Sequence, residues 1–330
     1  MKILIYSPRF YPLVGGLENL TLSLAKEWKK LGHEVKVISS AKPDGTECGI
    51  EVLYSPHYFK QIKLFIQSDV FYMPNLSLKG IWLLLLNPFK KWVISHNVWY
   101  NGYNLHTKLA AKLKLFLLNF CKNISVSKAV ADSLPVRSEI IHNGYDNEIF
   151  YNQTLEKKKD SLLFVGRLVS DKGIDTLLHA FIELKKTNIN LTLTIVGEGE
   201  EREWIQEFIN TNNLNSSVEL KGKQVGNDLA SCMNIHSILV VPSKWAEPFG
   251  IVALEGLACG CKVVCSSGGG LPEAVGKFGY LFSNGNTDEL INTIKIALVE
   301  NNSTLNRELD DFLLQHQIVF VAKKYLEIFN

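Results

Sequence analysis

Short apolar runs alternating with amphipathic stretches set the rhythm of this chain. Lys2–Tyr6 predicts a buried strand. Leu17–Leu31 has helical spacing, with Leu20, Leu24, Trp28 and Leu31 on one side and Gly32 as its stop. Glu34–Ser39, Val70–Met73, Trp92–Ser95, Ile124–Val126 and Ile140–Ile141 predict further strands. The polar stretch Tyr151–Asp160 then breaks the pattern and reads as a linker. Beyond it the rhythm restarts. Strands are predicted at Ser161–Val165, Leu191–Val196, Val218–Lys221, Ile238–Val241 and Val263–Cys265, with helices at Thr176–Lys186, Trp204–Asn210, Ile251–Ala258 and Asp288–Glu300. Short, wholly apolar strands between helices imply parallel sheets covered on both faces. The expectation is an α/β protein of two doubly wound, Rossmann-like parallel-sheet domains, residues 1–155 and 156–310. Their ligands should sit in a central cleft at the carboxyl ends of the strands. Phe312–Phe329 is amphipathic. The terminal piece 311–330 either completes the second domain or packs back on the first.

Length agrees with two domains: 330 residues at roughly 150 per domain. A composition 46% hydrophobic and 21% charged excludes a mainly disordered chain. A net charge of +2 argues against a nucleic-acid partner. The charge is uneven, however. Residues 1–155 hold 18 Lys/Arg against 11 Asp/Glu, and the remainder 17 against 22. A basic first half suits anionic lipid or a phosphorylated partner. Within it Leu105–Lys122 sets Lys108, Lys112, Lys114 and Lys122 among leucines and Phe116, as a membrane-surface helix or a core helix with a basic edge would. The longest apolar stretch, Ile81–Leu86, is far short of the ~20 residues a spanning helix needs. No signal-peptide pattern is seen at Met1–Ile5, so a cytoplasmic protein is expected, peripheral at most at the inner membrane face. The six cysteines lack Cys-x-x-Cys spacing and read as reduced packing residues.

Four motifs and one histidine carry candidate chemistry. Gly15-Gly16-Leu17-Glu18 stands directly before a helix, where glycine lets a ligand approach the backbone and the helix terminus attracts anions. A plain tight turn fits it equally. It is neither Gly-x-Gly-x-x-Gly nor a Walker loop, which disfavours nicotinamide and P-loop chemistry. Gly166-Arg167-Leu168-Val169-Ser170-Asp171-Lys172-Gly173 follows a strand. A lysine near a helix start opposes the helix dipole, and a bound diphosphate gripped by Arg167 and Lys172 would resolve the conflict. Pro242–Gly250 reads as a loop, followed by an apolar helix whose one charge is Glu255. A buried carboxylate needs donors, which ribose hydroxyls or a basic core side chain would supply. Glu247, eight residues earlier, would reach sugar hydroxyls, and the amides of Phe249, Gly250 and Ile251 a phosphate. The glycines of Ser267–Glu273 suit close approach to a ligand. His96, at the end of a strand, would face the same cleft or serve as a structural histidine. No Asp-x-Asp pair suggests a bound metal.

Taken together these elements resemble the family 4 glycosyltransferases. The resemblance spans nearly the whole chain and is strongest from Ser161 to Val275. It runs through Phe10-Tyr11-Pro12, Gly15-Gly16-Leu17-Glu18, Ser125-Val126-Ser127, Asn143-Gly144-Tyr145-Asp146, Gly166-Arg167-Leu168 with Lys172-Gly173, Val196-Gly197-Glu198-Gly199, Glu247-x7-Glu255 and Gly269-Gly270-Leu271-Pro272-Glu273. It implies the GT-B fold and transfer of sugar from a UDP- or GDP-sugar with retention of configuration. It further implies a metal-free mechanism, without cofactor, in which Arg167 and Lys172 neutralise the leaving diphosphate. Glu255 would hold the ribose, and Glu247 with the following amides the sugar and phosphate. Gly16 would meet the diphosphate, His96 would lie beside the donor sugar and Glu198 near the nucleoside. The implied acceptor is a growing glycan, such as a lipid-linked O-antigen, lipopolysaccharide or capsule intermediate. A soluble small-molecule acceptor, or a non-catalytic nucleotide-sugar-binding subunit, stands as the alternative. Cys261-Lys262, where the family often has proline after Cys-Gly, and Glu200, in place of a frequent proline, depart from the pattern.

Overall fold

The computed structural model describes residues 1–13, 15–43, 45–100, 112–300 and 306–330. They form two compact units: Met1–Gly144 with Gln315–Asn330, and Tyr145–Leu314. The first is built on seven strands: β1 (Lys2–Tyr6), β2 (Glu34–Ser39), β3 (Glu51–Tyr54), β4 (Val70–Met73), β5 (Lys91–His96), β6 (Lys122–Ser125) and β7 (Glu139–Ile140). All pair in parallel, in the order β3-β2-β1-β4-β5-β6-β7. The order reverses direction at β1 and β4, where Ile3 lies beside Val35 on one side and Val70 on the other. Such a reversal opens a crevice at the strands' carboxyl ends.

One face of this sheet buries Leu4, Tyr6, Ile38, Phe71, Met73, Trp92 and Ile94. Helix Tyr58–Gln67, the turn Trp82–Leu85 and residues 112–120 cover it. On the other face lies helix Gly16–Lys30, joined by the C-terminal helix Ile318–Phe329. An aromatic cluster welds these two helices to the sheet. Trp28 meets Tyr72 edge-on at 5.4 Å and Phe329 at 5.0 Å, and Tyr325 packs against both Trp28 and Tyr72. The Trp28 indole also donates to the Ala322 carbonyl at 3.0 Å, so a buried polar group is satisfied as well as packed. Lys91 and Lys122 donate to the last carbonyls of the C-terminal helix, where its dipole favours cations.

The second unit carries β8 (Lys158–Val165), β9 (Thr192–Val196), β10 (Val218–Gly222), β11 (His236–Val241), β12 (Lys262–Ser266) and β13 (Gly279–Phe282). Its parallel order, β10-β9-β8-β11-β12-β13, reverses at β8 and β11, with Leu163 between Thr194 and Leu239. Leu162, Phe164, Ile195, Ile238 and Val240 form the middle of its core, on which helices Ile174–Thr187 and Thr287–Val299 pack.

Two expectations change. The division falls at Gly144/Tyr145, ahead of the polar stretch 151–160. That stretch is tied into the second unit: the Gln153 amide donates to Asn234 Oδ1 at 2.8 Å, and Asn234 Nδ2 returns a bond to the Tyr151 carbonyl. The amphipathic segment 312–329 is two helices, Asn306–Gln315 and Ile318–Phe329, broken at His316-Gln317. Leu105–Lys122 lies outside the described residues as far as position 111, and residues 112–117 are helical. All six cysteines are unpaired thiols, with Cys232, Cys259, Cys261 and Cys265 buried. No helix among the described residues is long and apolar enough to cross a membrane.

Candidate functional site

The loops leaving β8 and β11 flank the reversal of the second sheet, and most of the candidate residues stand on them. After β8 the chain passes Gly166 and Arg167, makes a tight turn over Ser170–Lys172, and enters helix Ile174–Thr187 through Gly173. Gly173 has φ 69°, and a Cβ there would lie 1.9 Å from the Pro242 carbonyl oxygen. Only glycine lets the two loops come this close. The Lys244 amide donates to the Asp171 carbonyl at 2.9 Å and locks the contact.

This brings Lys172 and Glu247 together. The ammonium is 2.5 Å from Glu247 Oε1, which also accepts from Ser243 Oγ at 2.7 Å. Their side chains are only 17% and 13% exposed, and the Lys172 ammonium lies 5.5 Å from the centre of the Trp245 ring. Asn284 holds the loop from below by donating to the carbonyls of Ser243 and Trp245. Arg167 differs. It is 70% exposed, and its guanidinium is 4.0 Å from Asp171. A solvated cation beside a fixed one is an arrangement able to bind a doubly charged anion.

Glu255 lies in helix Ile251–Ala258, half-buried. Burial pushes its carboxyl up to about 8, with the nearby Asp146 charge adding to the effect. Among the described residues no hydrogen bond or ion pair reaches that carboxyl, so no basic core partner explains it. The helix begins at Gly250, with φ 114°, where a Cβ would strike Leu271 Cδ2 at 2.4 Å. The Phe249 side chain is buried and anchors the turn. First-turn amides such as that of Ile251 have no acceptor inside the helix. Glu198, after β9, is half-exposed and pairs with Arg202 at 3.3 Å.

Gly269 (φ 72°) and Gly270 would place a Cβ 2.1 Å from the Glu247 carbonyl and 2.3 Å from that of Pro248. The Gly270 amide donates to the Glu247 carbonyl at 2.7 Å. Gly269 and Gly270 admit the Glu247 loop. Gly269→Ala is therefore expected to lower stability by about 1–3 kcal/mol from backbone strain alone. An unchanged melting temperature would contradict this.

In the first unit, Gly15 caps helix Gly16–Lys30 in extended conformation, and nothing lies within 4 Å of the position a Gly16 Cβ would take. That backbone is open to approach. Glu18 behind it pairs with Arg9 at 3.4 Å. His96, expected beside the donor sugar, has its ring held by two neighbouring side chains. It is fully buried at the end of β5, with Nδ1 2.8 Å from Tyr100 Oη and Nε2 3.0 Å from Asn123 Oδ1. Asn123 Nδ2 donates to the Leu118 carbonyl, so the amide oxygen faces the histidine. This fixes Nε2 as donor and Nδ1 as acceptor. Both nitrogens are engaged inside the unit.

Burial pushes His96 down to about 4. An unfolded histidine takes its proton near 6.5, the folded one only near 4, so the unfolded chain binds more protons in between. Stability is thus expected to fall as pH drops from about 6.5 to 4, by about 3 kcal/mol from this group. His96→Gln should flatten that acid limb in urea titrations. A variant with the wild-type slope would assign the loss elsewhere.

Sequence reasoning missed Ser243, Trp245 and Asn284, which shape the Glu247 loop. The Pro-Ser-Lys-Trp run before Glu247 was a usable signal for the first two, whereas Asn284 looked like one turn residue among several. Among the described residues no group of three or more His, Cys, Asp or Glu is placed to hold a metal ion.

Two Rossmann-like parallel sheets in one chain give the fold of the GT-B glycosyltransferases. The chain belongs to the glycosyl transferases group 1 family, whose model matches residues 146–311. It is 31% identical over 338 residues to an uncharacterised glycosyltransferase of Methanocaldococcus jannaschii, covering 94% of this chain and 92% of that protein. It is also 31% identical over 180 residues to the lipopolysaccharide 1,2-N-acetylglucosaminetransferase of Salmonella typhimurium, 49% of this chain and 47% of that one. In fold it is similar to the Anabaena protein Alr3699/HepE in complex with UDP-glucose, with a TM-score of 0.82 at 20% identity over 99% of this chain and 98% of that one.

Proposed function

We propose that the chain is a retaining, metal-independent glycosyltransferase of the family 4 type. It would move a sugar from a UDP- or GDP-sugar to a growing, lipid-linked glycan at the inner face of the cytoplasmic membrane. The observation that carries the donor reading is Glu255, a half-buried carboxyl without a hydrogen-bond or ion-pair partner among the described residues. A desolvated carboxyl of this kind is costly unless a ligand supplies hydrogen-bond donors, and a ribose offers two adjacent hydroxyls. Arg167 and Lys172 would take the diphosphate, assisted by the first-turn amides at Gly250 and Ile251. Glu247, held by Lys172 and Ser243, would accept from sugar hydroxyls. Glu198 would stand near the nucleoside.

Catalysis then rests on fixed positive charge aimed at the leaving group. As the bond from the anomeric carbon to the phosphate oxygen breaks, Arg167 and Lys172 stabilise the charge on the departing diphosphate. The acceptor hydroxyl attacks from the same face and gives its proton to that phosphate. The Anabaena protein binds UDP-glucose and the Salmonella relative acts in lipopolysaccharide synthesis, which supports a nucleotide-sugar donor and a surface-glycan acceptor here.

The test is a thermal-shift panel with UDP, GDP, ADP and their common sugar conjugates. Saturating ligand at a hundredfold excess over Kd stabilises the fold by about 2.7 kcal/mol. One nucleotide should raise the melting temperature, and Glu255→Ala should abolish the shift. No shift with any nucleotide would count against a nucleotide-sugar donor. Activity that disappears with a chelator and returns with a divalent cation would reject the metal-free mechanism.

A further inference from the structure

Three successive connections cover one face of the first sheet, and their outer surface is apolar where a solvated layer would be polar. On helix Tyr58–Gln67, Ile62 and Phe65 face the core, while Phe59, Lys63 and Ile66 share the opposite stripe at helical spacing. Phe59 is 78% exposed, and Ile66 is exposed too. The next connection presents Leu85 at 84% and Phe89 at 94% exposure. It is joined to the helix by Lys90, which donates to the Ile66 carbonyl and lies over the Phe65 ring. Along the third connection Phe116 and Phe120 are exposed and pack on each other at 5.3 Å. Soluble surfaces rarely gather so many large apolar side chains on one face.

The surrounding charge is of one sign. Residues 58–67, 81–90 and 112–120 contain five lysines and no acidic residue. Lys60, Lys63 and Lys112 are exposed among the apolar side chains. Aromatic and aliphatic groups with lysines between them, and almost no carboxylates, match the interface of an anionic bilayer. The rings enter the acyl boundary and the ammonium groups meet lipid phosphates. A protein partner would need acidic side chains around its own apolar patch. A bilayer offers both features across any footprint.

The geometry points to this face, comprising the outer side of helix Tyr58–Gln67, the segment Leu85–Phe89 and residues Phe116 and Phe120, as a docking surface for an anionic lipid bilayer. The inference deepens the preceding reading, in which the acceptor is lipid-linked, and its test involves no sugar transfer, so the two fail separately.

The test is co-sedimentation of the full chain with vesicles of phosphatidylcholine and phosphatidylglycerol at equal proportion, and with phosphatidylcholine alone. The chain should pellet with the mixed vesicles and at least tenfold less with the neutral ones, and 0.5 M salt should release it. Phe59→Ser with Phe89→Ser should cut binding at least tenfold. Both residues are largely exposed, so the melting temperature should stay at the wild-type value. Lys60→Glu with Lys63→Glu should abolish the preference for anionic lipid. Wild-type-like binding by the serine variant, or no pelleting with mixed vesicles, would overturn the proposal. So would a dimer in light scattering that the serine variant converts to monomer while vesicle binding is absent, since a second copy would then cover the face.

Discussion

Arg167→Ala is expected to lower turnover by about 100- to 1000-fold while the melting temperature stays put. The first figure is what removing one preorganised charge-stabilising donor costs. The second follows from position: the side chain is 70% exposed, with one carboxylate at 4.0 Å. Surface changes of this kind stay within about 0.5 kcal/mol. Lys172→Ala would be the poorer probe. It strands the Glu247 carboxylate at 13% exposure, and breaking a buried pair costs about 3–5 kcal/mol. Lost activity there would mix chemistry with unfolding. Steady-state kinetics of Arg167→Ala, paired with thermal unfolding, separate the two. Turnover within threefold of wild type would remove Arg167 from the leaving-group site.

Glu255→Gln should weaken nucleotide binding by about 10- to 100-fold, the worth of hydrogen bonds to a charged acceptor. The same change should stabilise the empty protein in alkali. The folded carboxyl titrates near 8 and an unfolded one near 4.3, so the folded chain holds the extra proton between those values. Stability therefore declines as pH rises through that window, and the full cost is present above 8. Allowing for partial exposure, the cost is on the order of 2–3 kcal/mol. Glutamine cannot ionise and removes the slope. Calorimetric titration with nucleotide and urea unfolding from pH 5 to 9 read the two effects. A variant that binds as well as wild type, or one with an unchanged slope, would take Glu255 out of the donor site. A residue that costs the fold and serves the ligand is the familiar trade of a binding site.

Much of the fold was legible in the sequence, for a physical reason. Strand segments buried on both faces are apolar throughout, so Ile3–Tyr6, Val70–Met73, Leu162–Val165 and Ile238–Val241 stand out as unbroken runs. β7 did not: Glu139 and Ile140 are both exposed at the sheet edge, and the reading fell one residue late. Helix Tyr58–Gln67 was not read from the sequence, although Lys60, Lys63 and Gln67 recur at helical spacing among its apolar residues. The site was legible where spacing along the chain carries it. Glu247 and Glu255 belong to one loop-helix unit, and Lys172 precedes its own helix. His96 was legible as a strand end but not as a buried residue. Its partners Tyr100 and Asn123 come from separate segments, and only the fold brings the three together. The glycines 268–270 carried the right signal, close approach, but sequence alone does not say what approaches.

The C-terminal helix changes the order in which the protein is finished. Synthesis delivers residues 1–144 first, yet their sheet lacks one of its covers until Ile318–Phe329 emerges. Until then Trp28 and Tyr72 have no aromatic partners from the chain's end. The second unit is contiguous from Tyr145 to Leu314 and has all its residues earlier. The half made first is thus completed last, and a nascent chain carries open apolar surface on its older half throughout elongation. Stalled or prematurely ended chains would be incomplete in the unit they had already translated in full.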